Sequence, residues 1–416
     1  MKRRLRVLLS AYACEPQQGS EPGVGWNQAR QAARFHEVWI LTRSNNRPAI
    51  ERELKRHPLP HAHWVYYDLP RWLRFWKKGQ RGVHIYYYLW QIGAYLRAKR
   101  LHKNIVFDLV HHVTFVNYWN PSLIALLPAP FIWGPVGGGE SAPRSFWKTF
   151  SWRGKIFELL RAAARWRGEN DPLVRITAWR ARLALATTPE TAKRLRRLGC
   201  NSVRLLGESA LDEREIDKLA GQPLSTEDSL RLLSAGRLVD LKGYHISIEA
   251  FARMRKKIPN STYWLIGDGP DRKRLMKLAI RFGVSDVVHF LGVLPRDQVL
   301  RILTKGDIFV HPSLHDSGGW VCLEAMAAGC PVVCFDIGGP DIQVSDEDGI
   351  KVPATSRESA VEQLAQALVH LGENQWLRMR MGEAGRRRIR QLFCWDEKGD
   401  LLRDLYLQVL KEAQSM

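Results

Sequence analysis

The stretch IFVHPSLHDSGGWVCLEAMAAGCPVVCF, residues 308–335, contains a β-branched run, a glycine loop, an apolar helical run and a second β-branched run. The two β-branched runs predict buried strands, and the segment between them predicts a helix that ends at Gly329. Strand, helix and strand in this order are typical of a βαβ unit with parallel strands. Asp316 precedes the glycine loop and Glu324 lies on the helix, so a candidate site lies within the same unit.

Short β-branched runs alternate with helical stretches along the rest of the chain, which predicts further βαβ units and parallel sheets. The predicted strands of the first half lie at 7–10, 37–42, 64–67, 109–112, 131–133 and 183–187, with a helix at 190–198. Those of the second half lie at 231–235, 262–266, 288–291, 308–311 and 332–335.

The polar segment LLGESALDEREIDKLAGQPLSTEDSL, residues 205–230, interrupts this alternation, and we place a hinge there. The predicted fold class is α/β, with two Rossmann-like, doubly wound domains that face each other across a cleft. We expect the domains to cover 1–206 and 207–395, and a C-terminal helix at 396–416 to pack back toward the first. In such sheets ligands bind outside the carboxyl ends of the strands.

Composition restricts the class of protein. The chain has 416 residues, of which 45% are hydrophobic, and no apolar run reaches the roughly 18 residues of a membrane-spanning helix. The basic and apolar start resembles a signal peptide but is better explained by a buried strand. Six scattered cysteines without a CxxC pair argue against a zinc ribbon or a disulfide framework and fit a reducing cytosol.

Charge is distributed unevenly. Residues 1–200 contain 34 basic and 12 acidic residues, whereas residues 201–416 contain 29 and 30. The whole net charge of +21 therefore comes from the first half, and no acid occurs between Asp68 and Asp108. This asymmetry indicates that the first domain faces an anionic surface.

Two turns in the second half follow predicted strands. In SAGRLVDLKG, residues 234–243, Gly236 and Arg237 form a turn and Lys242 stands at the start of a helix, so the two cations can serve as a phosphate site. Two solvated surface cations are the alternative. The second turn, Gly267-Asp268-Gly269, has a GxG spacing that also fits a tight turn before a helix with proline at its first position.

The glycine loop of the opening stretch suits an anionic ligand. Its three small residues (Ser317, Gly318 and Gly319) let the backbone approach a diphosphate, with free amides at the start of the helix. Glu324 can accept hydrogen bonds from a ribose diol, and Asp316 can bind hydroxyls on the other side of the phosphates. A glycine-rich helix cap with a solvated Glu324 is the alternative, but it does not explain an acid within WVCLEAMAA.

These motifs together resemble retaining glycosyltransferases of family four, also called group 1, which have the GT-B fold. Asp316-x7-Glu324 with AMAAGCPVVCFDIGG is similar to the family's E-x7-E element, and GRLVDLKG, LIGDGP, FLGVL and FVHPS occur in family order. The resemblance implies that Glu324 binds ribose, that Asp316 contacts the transferred sugar and that Arg237 and Lys242 bind the donor diphosphate. It also implies that the backbone at Gly292, Val293 and Leu294 reads the base and that Trp320 belongs to the donor loop.

The sequence departs from the family pattern at three places. The first acid of the E-x7-E element is an aspartate, the following E-G-F-G run reads Asp-Ser-Gly-Gly, and LLGESAL at 205–211 replaces a frequent Asn-Gly turn. The first two departures leave the sugar open without changing the reaction class.

In the first half, Gly23, Val24 and Gly25 stand where the family's glycine loop approaches the donor phosphates. His111 and His112 fall at a predicted strand end, where the family often places a histidine near the transferred sugar, and we favour His112. A hydrogen-bonded core histidine is the alternative for either. The stretch WGPVGGGE at 133–140 suits either a second backbone approach to substrate or a flexible loop.

Residues 70–100 interleave aromatic residues with cations. Trp72, Phe75 and Trp76 would share one helical face, flanked by four cations, and SFWKTFSWRGKIF at 145–157 is similar in character. We interpret these segments as interfacial elements on anionic lipid. A core helix and nucleic-acid binding are the alternatives, and no nucleic-acid motif accompanies them.

The predicted protein is a retaining, metal-independent glycosyltransferase without a cofactor. It would move a sugar from a nucleoside-diphosphate donor, with UDP favoured over GDP, to a lipid-linked or cell-surface glycan acceptor. We expect a cytoplasmic enzyme bound peripherally to the inner face of the membrane, with no nucleic-acid partner. A nucleotide-sugar epimerase or phosphorylase of the same fold and a basic nucleic-acid-binding protein are the alternatives.

Overall fold

A computed structural model describes residues 3–77, 79, 82–220 and 229–414. The chain forms two compact units. The first consists of Met1–Gly139, Ala162–Glu208 and Trp395–Met416, and the second of Glu140–Arg161 and Ser209–Cys394.

The first unit is built on a seven-stranded parallel sheet in the order β3-β2-β1-β4-β5-β6-β7. Its strands are β1 Arg6–Ala11, β2 Glu37–Arg43, β3 Ala62–Tyr67, β4 Leu109–Thr114, β5 Phe131–Val136, β6 Ala181–Ala186 and β7 Val203–Leu205. Its helices are α1 Ser20–Phe35, α2 Arg47–Arg56, α3 Arg71–Arg74, α4 Val83–Ile105, α6 Pro172–Arg180, α7 Pro189–Arg197 and α16 Trp395–Gln414. Helix α5, Trp152–Glu169, runs through the point where the chain passes from the second unit to the first.

The second unit contains a six-stranded parallel sheet in the order β10-β9-β8-β11-β12-β13. Its strands are β8 Leu230–Ala235, β9 Ser261–Ile266, β10 Val288–Gly292, β11 Ile308–His311, β12 Val332–Phe335 and β13 Gly349–Val352. Its helices are α8 Glu213–Ala220, α9 Tyr244–Arg255, α10 Arg272–Arg281, α11 Arg296–Leu303, α12 Trp320–Ala328, α13 Gly338–Gln343, α14 Arg357–Glu373 and α15 Gln375–Leu392.

The predicted fold class, α/β with two doubly wound parallel sheets, is confirmed. The central strands β4, β5, β8, β11 and β12 are buried along their whole length, as expected where helices cover both faces of a parallel sheet. Two edge strands, β7 and β13, were not predicted. They are short, and their sequences VRL and GIKV lack a continuous apolar run because an edge strand is less enclosed.

Residues 140–161 belong to the second unit, which differs from the predicted continuous domain 1–206. Phe146 and Phe150 lie in the hydrophobic core of the second unit. Ser151 hydrogen-bonds Asp240 through both its amide and its hydroxyl, and Arg274 donates to Asp240 at 2.6 Å. A buried carboxylate shared by these donors thus fixes the segment to α9 and α10.

Helix α16 packs against α1 within the first unit. Gln31 donates to Asp396 at 2.7 Å, and Arg34 pairs with the same carboxylate at 3.2 Å. Deeper in the unit, the Tyr406 hydroxyl lies 2.7 Å from Nδ1 of His111. The last helix therefore completes the core of the first unit.

The segment 205–230, predicted as a hinge, includes helix α8, whose Ile216 and Leu219 are buried. Residues 221–228 of that segment lie outside the described residues.

The helices in the described ranges include none that is long and apolar enough to cross a lipid bilayer.

We expect Gly243→Ala to lower stability more than Gly283→Ala does. Both glycines have a φ of 67°, where an alanine costs about 1–2 kcal/mol. A Cβ on Gly243 would lie 1.9 Å from the carbonyl oxygen of Pro312, whereas a Cβ on Gly283 would meet open space. Thermal unfolding of the two variants measures the difference in stability. Equal Tm values would show that the loop after β11 can move away from the added Cβ at little cost in free energy.

Candidate functional site

The candidate site lies at the carboxyl edge of the second sheet. Strands β8 and β11 are adjacent there, and the strand order reverses between them, which makes this the position where doubly wound sheets bind ligands. The loops that follow these two strands, residues 236–243 and 312–319, contain Lys242 and Asp316.

Asp316 connects the two loops. Its Oδ2 lies 2.5 Å from Nζ of Lys242 and 3.0 Å from Nε2 of His311, the last residue of β11. Burial opposes ionisation of this carboxyl, but the Lys242 ammonium and the His311 ring hold its pKa well below the usual range. The site therefore contains a carboxylate bound to a lysine ammonium across the point where the strand order reverses.

The other oxygen of Asp316 binds the glycine loop. Its Oδ1 accepts hydrogen bonds from the amides of Gly318 at 3.2 Å and Gly319 at 3.1 Å. The prediction that these amides are free for an anion is therefore wrong, because the aspartate side chain folds onto its own loop. A diphosphate at these amides would have to displace the carboxylate.

The Gly318 carbonyl is fixed from two sides. Ser209 donates its hydroxyl at 2.7 Å, and Gln343, at the end of α13, donates its amide at 2.5 Å. Gly319 has a φ of 51°, and Trp320 begins α12 directly after it. Ser317, between Asp316 and Gly318, is half-buried. Contacts within the second unit thus hold the backbone of this loop.

Glu324 is buried on α12 and forms an ion pair with Arg296, the first residue of α11, at 2.7 Å. Arg296 also contacts Glu215 at 3.0 Å. Burial raises the pKa of Glu324 to about 7, although the guanidinium opposes the rise. The alternative of a solvated Glu324 is therefore excluded. The carboxylate that we predicted to bind ribose is paired with Arg296.

Three glycines mark the carboxyl ends of neighbouring strands. The amide of Gly267 donates to the Gly292 carbonyl at 2.7 Å, and the amide of Gly236 donates to Ile266 at 2.9 Å. A Cβ on Gly267 would lie 2.0 Å from the Gly236 carbonyl oxygen, so the backbones are in close contact. After Gly292, the side chain of Val293 is 78% exposed and Leu294 packs against the core.

Arg237 and Lys242 differ in their surroundings. Arg237 is exposed, and its guanidinium makes no hydrogen bond or ion pair with the described part of the chain. Lys242 is half-buried in a 3-10 turn, one residue before the Gly243 cap of α9. One cation is therefore available to a ligand, and the other is already paired with Asp316.

The predicted glycine loop of the first unit is part of a helix. Gly23, Val24 and Gly25 are buried in α1, which begins at Ser20. A Cβ on Gly25 would lie 2.1 Å from the Ala13 carbonyl oxygen, so this glycine permits the helix to pack on the segment after β1. The loop geometry predicted for these residues is wrong, because all three lie within the first two turns of α1.

The structure distinguishes His111 from His112 on β4. Both ring nitrogens of His111 have partners, the Tyr406 hydroxyl and the Gly134 carbonyl, the latter at 2.5 Å. His112 contacts only the Phe115 carbonyl, at 3.4 Å, and its Nδ1 lacks a partner among the described residues. Burial lowers the pKa of His111 to about 3 and that of His112 to about 4, so both rings are neutral at pH 7.

The aromatic and basic segment forms less helix than expected. Helix α3 covers only Arg71–Arg74, and Trp72 and Phe75 are 71% and 78% exposed. Trp76 is half-buried and packs against the core near Tyr86, so the predicted face of three aromatic residues is wrong. Lys78, one of the predicted flanking cations, lies outside the described residues.

Sequence reasoning missed two residues of the site. His311 stands at the carboxyl end of a buried strand before a proline, and a polar residue at that position is a signal that could have identified it. Arg296 gives no comparable signal, since its contact with Glu324 joins two helices separated by a strand. Within the described ranges, no group of three or more His, Cys, Asp or Glu residues is arranged to hold a metal ion.

Residues 215–388 match the family model described as glycosyl transferases group 1. A lipopolysaccharide core biosynthesis glycosyltransferase of Rhizobium meliloti, LpsE, is 33% identical over 235 residues, which cover 54% of this chain and 63% of that protein. The chain spans less than two thirds of the length of the first curated relatives it matches.

Two solved structures cover nearly the whole chain. Sucrose-phosphate synthase from Thermosynechococcus elongatus is similar with a TM-score of 0.65 and 19% identity, over 98% of this chain and 100% of that one. Anabaena HepE in complex with UDP is similar with a TM-score of 0.60 and 16% identity, over 99% and 100%. These likenesses show that the chain has the GT-B fold, and residues 215–388 carry its similarity to the group 1 glycosyl transferases.

Proposed function

We propose that the protein is a retaining glycosyltransferase of family four that moves a sugar from a nucleoside diphosphate to a glycan or lipid-linked acceptor. The observation that carries this proposal is the arrangement of Lys242, Asp316 and the glycine loop where the strand order of the second sheet reverses. The match of residues 215–388 to group 1 glycosyl transferases supports it.

The donor would bind along the carboxyl edge of the second sheet. Arg237 and Lys242 would bind the diphosphate, and the backbone at Gly292, Val293 and Leu294 would face the base. Glu324 would exchange the guanidinium of Arg296 for the two ribose hydroxyls. UDP is the favoured nucleotide, and HepE, a protein with the same fold, has been solved with UDP.

The reaction would form a bond between an acceptor oxygen and the anomeric carbon while the bond from that carbon to the phosphate oxygen breaks. The nucleoside diphosphate leaves and its phosphate takes the acceptor proton, on the same face of the sugar. Cationic side chains would stabilise the charge that develops on the diphosphate, which makes a metal unnecessary. Asp316 would contact the transferred sugar. Of the two histidines on β4, we favour His112, whose Nδ1 lacks a partner among the described residues.

The acceptor would bind to the first unit at an anionic membrane surface. LpsE acts in lipopolysaccharide core biosynthesis by its name, which favours a cell-envelope glycan. Residues 1–200, most of which belong to the first unit, have a net charge of +22, and Trp72 and Phe75 are exposed among cations. Basic residues and exposed aromatic side chains favour attachment to an anionic lipid surface, whereas binding of a soluble acceptor would need neither.

Incubation with a panel of UDP-, GDP- and ADP-sugars tests the proposed function directly. We expect slow release of free sugar from one of these donors, faster in the presence of membrane extract that contains an acceptor. The anomeric configuration of the product, read by NMR, should match that of the donor. Inversion, or epimerised donor without transfer, would contradict the proposal.

Replacing Glu324 by alanine should weaken nucleoside-diphosphate binding by more than about tenfold. Hydrogen bonds to a charged group contribute about 1.5–3 kcal/mol each, and about 1.4 kcal/mol corresponds to a factor of ten. Glu249→Ala is a matched control, because Glu249 is also an ion-paired glutamate with little exposure and belongs to α9. Calorimetry decides the assignment, and an unchanged Kd for Glu324→Ala would refute ribose binding.

Nucleotide affinity should rise as the pH increases from about 6 to about 8. The pKa of Glu324 is raised to about 7, so the carboxylate that accepts hydrogen bonds forms mainly above that pH. Glu324→Gln should lose the rise in affinity that comes from ionisation of this carboxyl. It should retain only the pH dependence that comes from the phosphate of the nucleotide. Parallel slopes for the two proteins would show that Glu324 does not titrate in this range.

Activity should persist in EDTA, and Arg237→Ala and Lys242→Ala should each lower kcat by about a hundredfold, the scale of removing one charge-stabilising donor. Lys305→Ala is the matched control, since this exposed lysine precedes β11 at the opposite edge of the sheet. Activity that disappears in EDTA and returns with Mn²⁺ would contradict the diphosphate assignment.

A further inference from the structure

Helix α5 buries its polar face. Five residues spaced four, three, four and three apart point inward, and all are glycine or charged: Gly154, Glu158, Arg161, Arg165 and Gly168. Glu158 is 1% exposed and Arg165 is 6% exposed. The guanidinium of Arg161 lies 4.0 Å from the buried Glu140 carboxylate. Charged groups therefore occupy the side on which a surface helix of a globular protein carries its apolar residues.

The opposite face of α5 is apolar and exposed. Five apolar residues spaced four, three, four and three apart form a stripe along the helix, and Leu160 lies beside them. Its members, with their exposed fractions where these are large, are Trp152 (66%), Ile156 (45%), Leu159 (56%), Leu160 (66%), Ala163 and Trp166 (70%). Single exposed apolar residues are ordinary, but a continuous stripe of this size marks a surface that binds a partner.

The charges beside the stripe indicate which partner. The exposed charged residues of α5 are all cations, Arg153, Lys155 and Arg167. Of its two acids, Glu158 is buried, and Glu169 is engaged by Tyr118 and Arg194, each at 2.6 Å. An anionic surface complements this distribution. A second copy of the helix packed face to face would instead bring like charges together.

Tryptophans stand near both ends of the stripe. Trp152 begins the helix, and Trp166 lies three residues before its end. Tryptophan combines a large apolar ring with a polar N–H group and is enriched at the boundary between lipid and water. An apolar stripe with cations beside it and at its C-terminal end, and with tryptophan near each end, is typical of helices that lie in the plane of a membrane.

We propose that the outward face of α5 inserts into the headgroup boundary of an anionic bilayer, with the helix parallel to the surface. Trp152, Ile156, Leu160 and Trp166 enter the lipid, and Arg153, Lys155 and Arg167 contact anionic headgroups. This assigns the apolar part of binding to α5 and extends the membrane part of the proposed function, on which it rests.

The test uses the full chain and vesicles of phosphatidylcholine with or without phosphatidylglycerol. Wild type should bind the anionic vesicles more tightly. A variant with Ile156→Ser, Leu160→Ser and Trp166→Ser should lose at least tenfold of the binding that remains at high salt. The matched control, with Ile280→Ser, Trp376→Ser and Met379→Ser on α10 and α15, removes apolar groups of similar exposure and should bind like wild type.

A second variant, with Arg153→Gln, Lys155→Gln and Arg167→Gln, should lose the salt-dependent part of vesicle binding and keep the part that remains at high salt. Bromine-labelled lipid should quench tryptophan fluorescence in wild type, and Trp152→Phe with Trp166→Phe should remove most of that quenching. Binding that is unchanged in the α5 variants, or lost only in Trp72→Ser with Phe75→Ser, would overturn the proposal. Dissociation of a dimer by the α5 variants without a change in vesicle binding would also overturn it, in favour of a second copy.

Release of sugar from the donor panel, measured on the same samples in the absence of vesicles, separates this proposal from the proposed function. Vesicle binding that depends on α5 in a protein without transferase activity would refute only the function. Normal transferase activity with vesicle binding that is independent of α5 would refute only the role of the helix.

Discussion

The ion pair between Lys242 and Asp316 is the interaction on which the candidate site depends. It joins the loops after β8 and β11, and the lysine ammonium offsets the cost of enclosing the aspartate carboxylate. Because the second carboxylate oxygen also binds the amides of the glycine loop, a single side chain is bonded to both loops. An anionic ligand at this site must therefore exchange partners with groups that are already paired.

At Glu324, too, a ligand would have to replace a partner that is already bound, because the Arg296 guanidinium pairs with this carboxylate. A buried glutamate without this guanidinium would be neutral over a wider pH range, and the pair keeps a carboxylate accessible near neutral pH. The two acids of the opening stretch therefore share one physical arrangement. Each is an enclosed carboxylate stabilised by a cation that comes from a distant part of the chain.

Local pattern predicted much of the fold, since β11 and β12 have the predicted bounds and the other predicted strands lie within one to three residues of theirs. Asp316 and Glu324 were found because their spacing is local. Pairing across the chain was not predictable, because the Arg296 partner of Glu324 leaves no pattern in sequence. The bonds from the amides of Gly318 and Gly319 to Asp316 are local, and the Asp-Ser-Gly-Gly run could have indicated them. For α5, periodicity reveals two faces, but only the fold determines which one is buried.

The second unit is discontinuous, because residues 140–161 precede the rest of it by 47 residues of the first. During synthesis, Phe146 and Phe150 leave the ribosome long before the strands they pack against. The first unit in turn needs α16, which follows the whole second unit in the chain. Neither half can close its core from a continuous stretch of chain, so folding of the two units is interdependent, and cutting the gene at residue 206 would leave each fragment without part of its core.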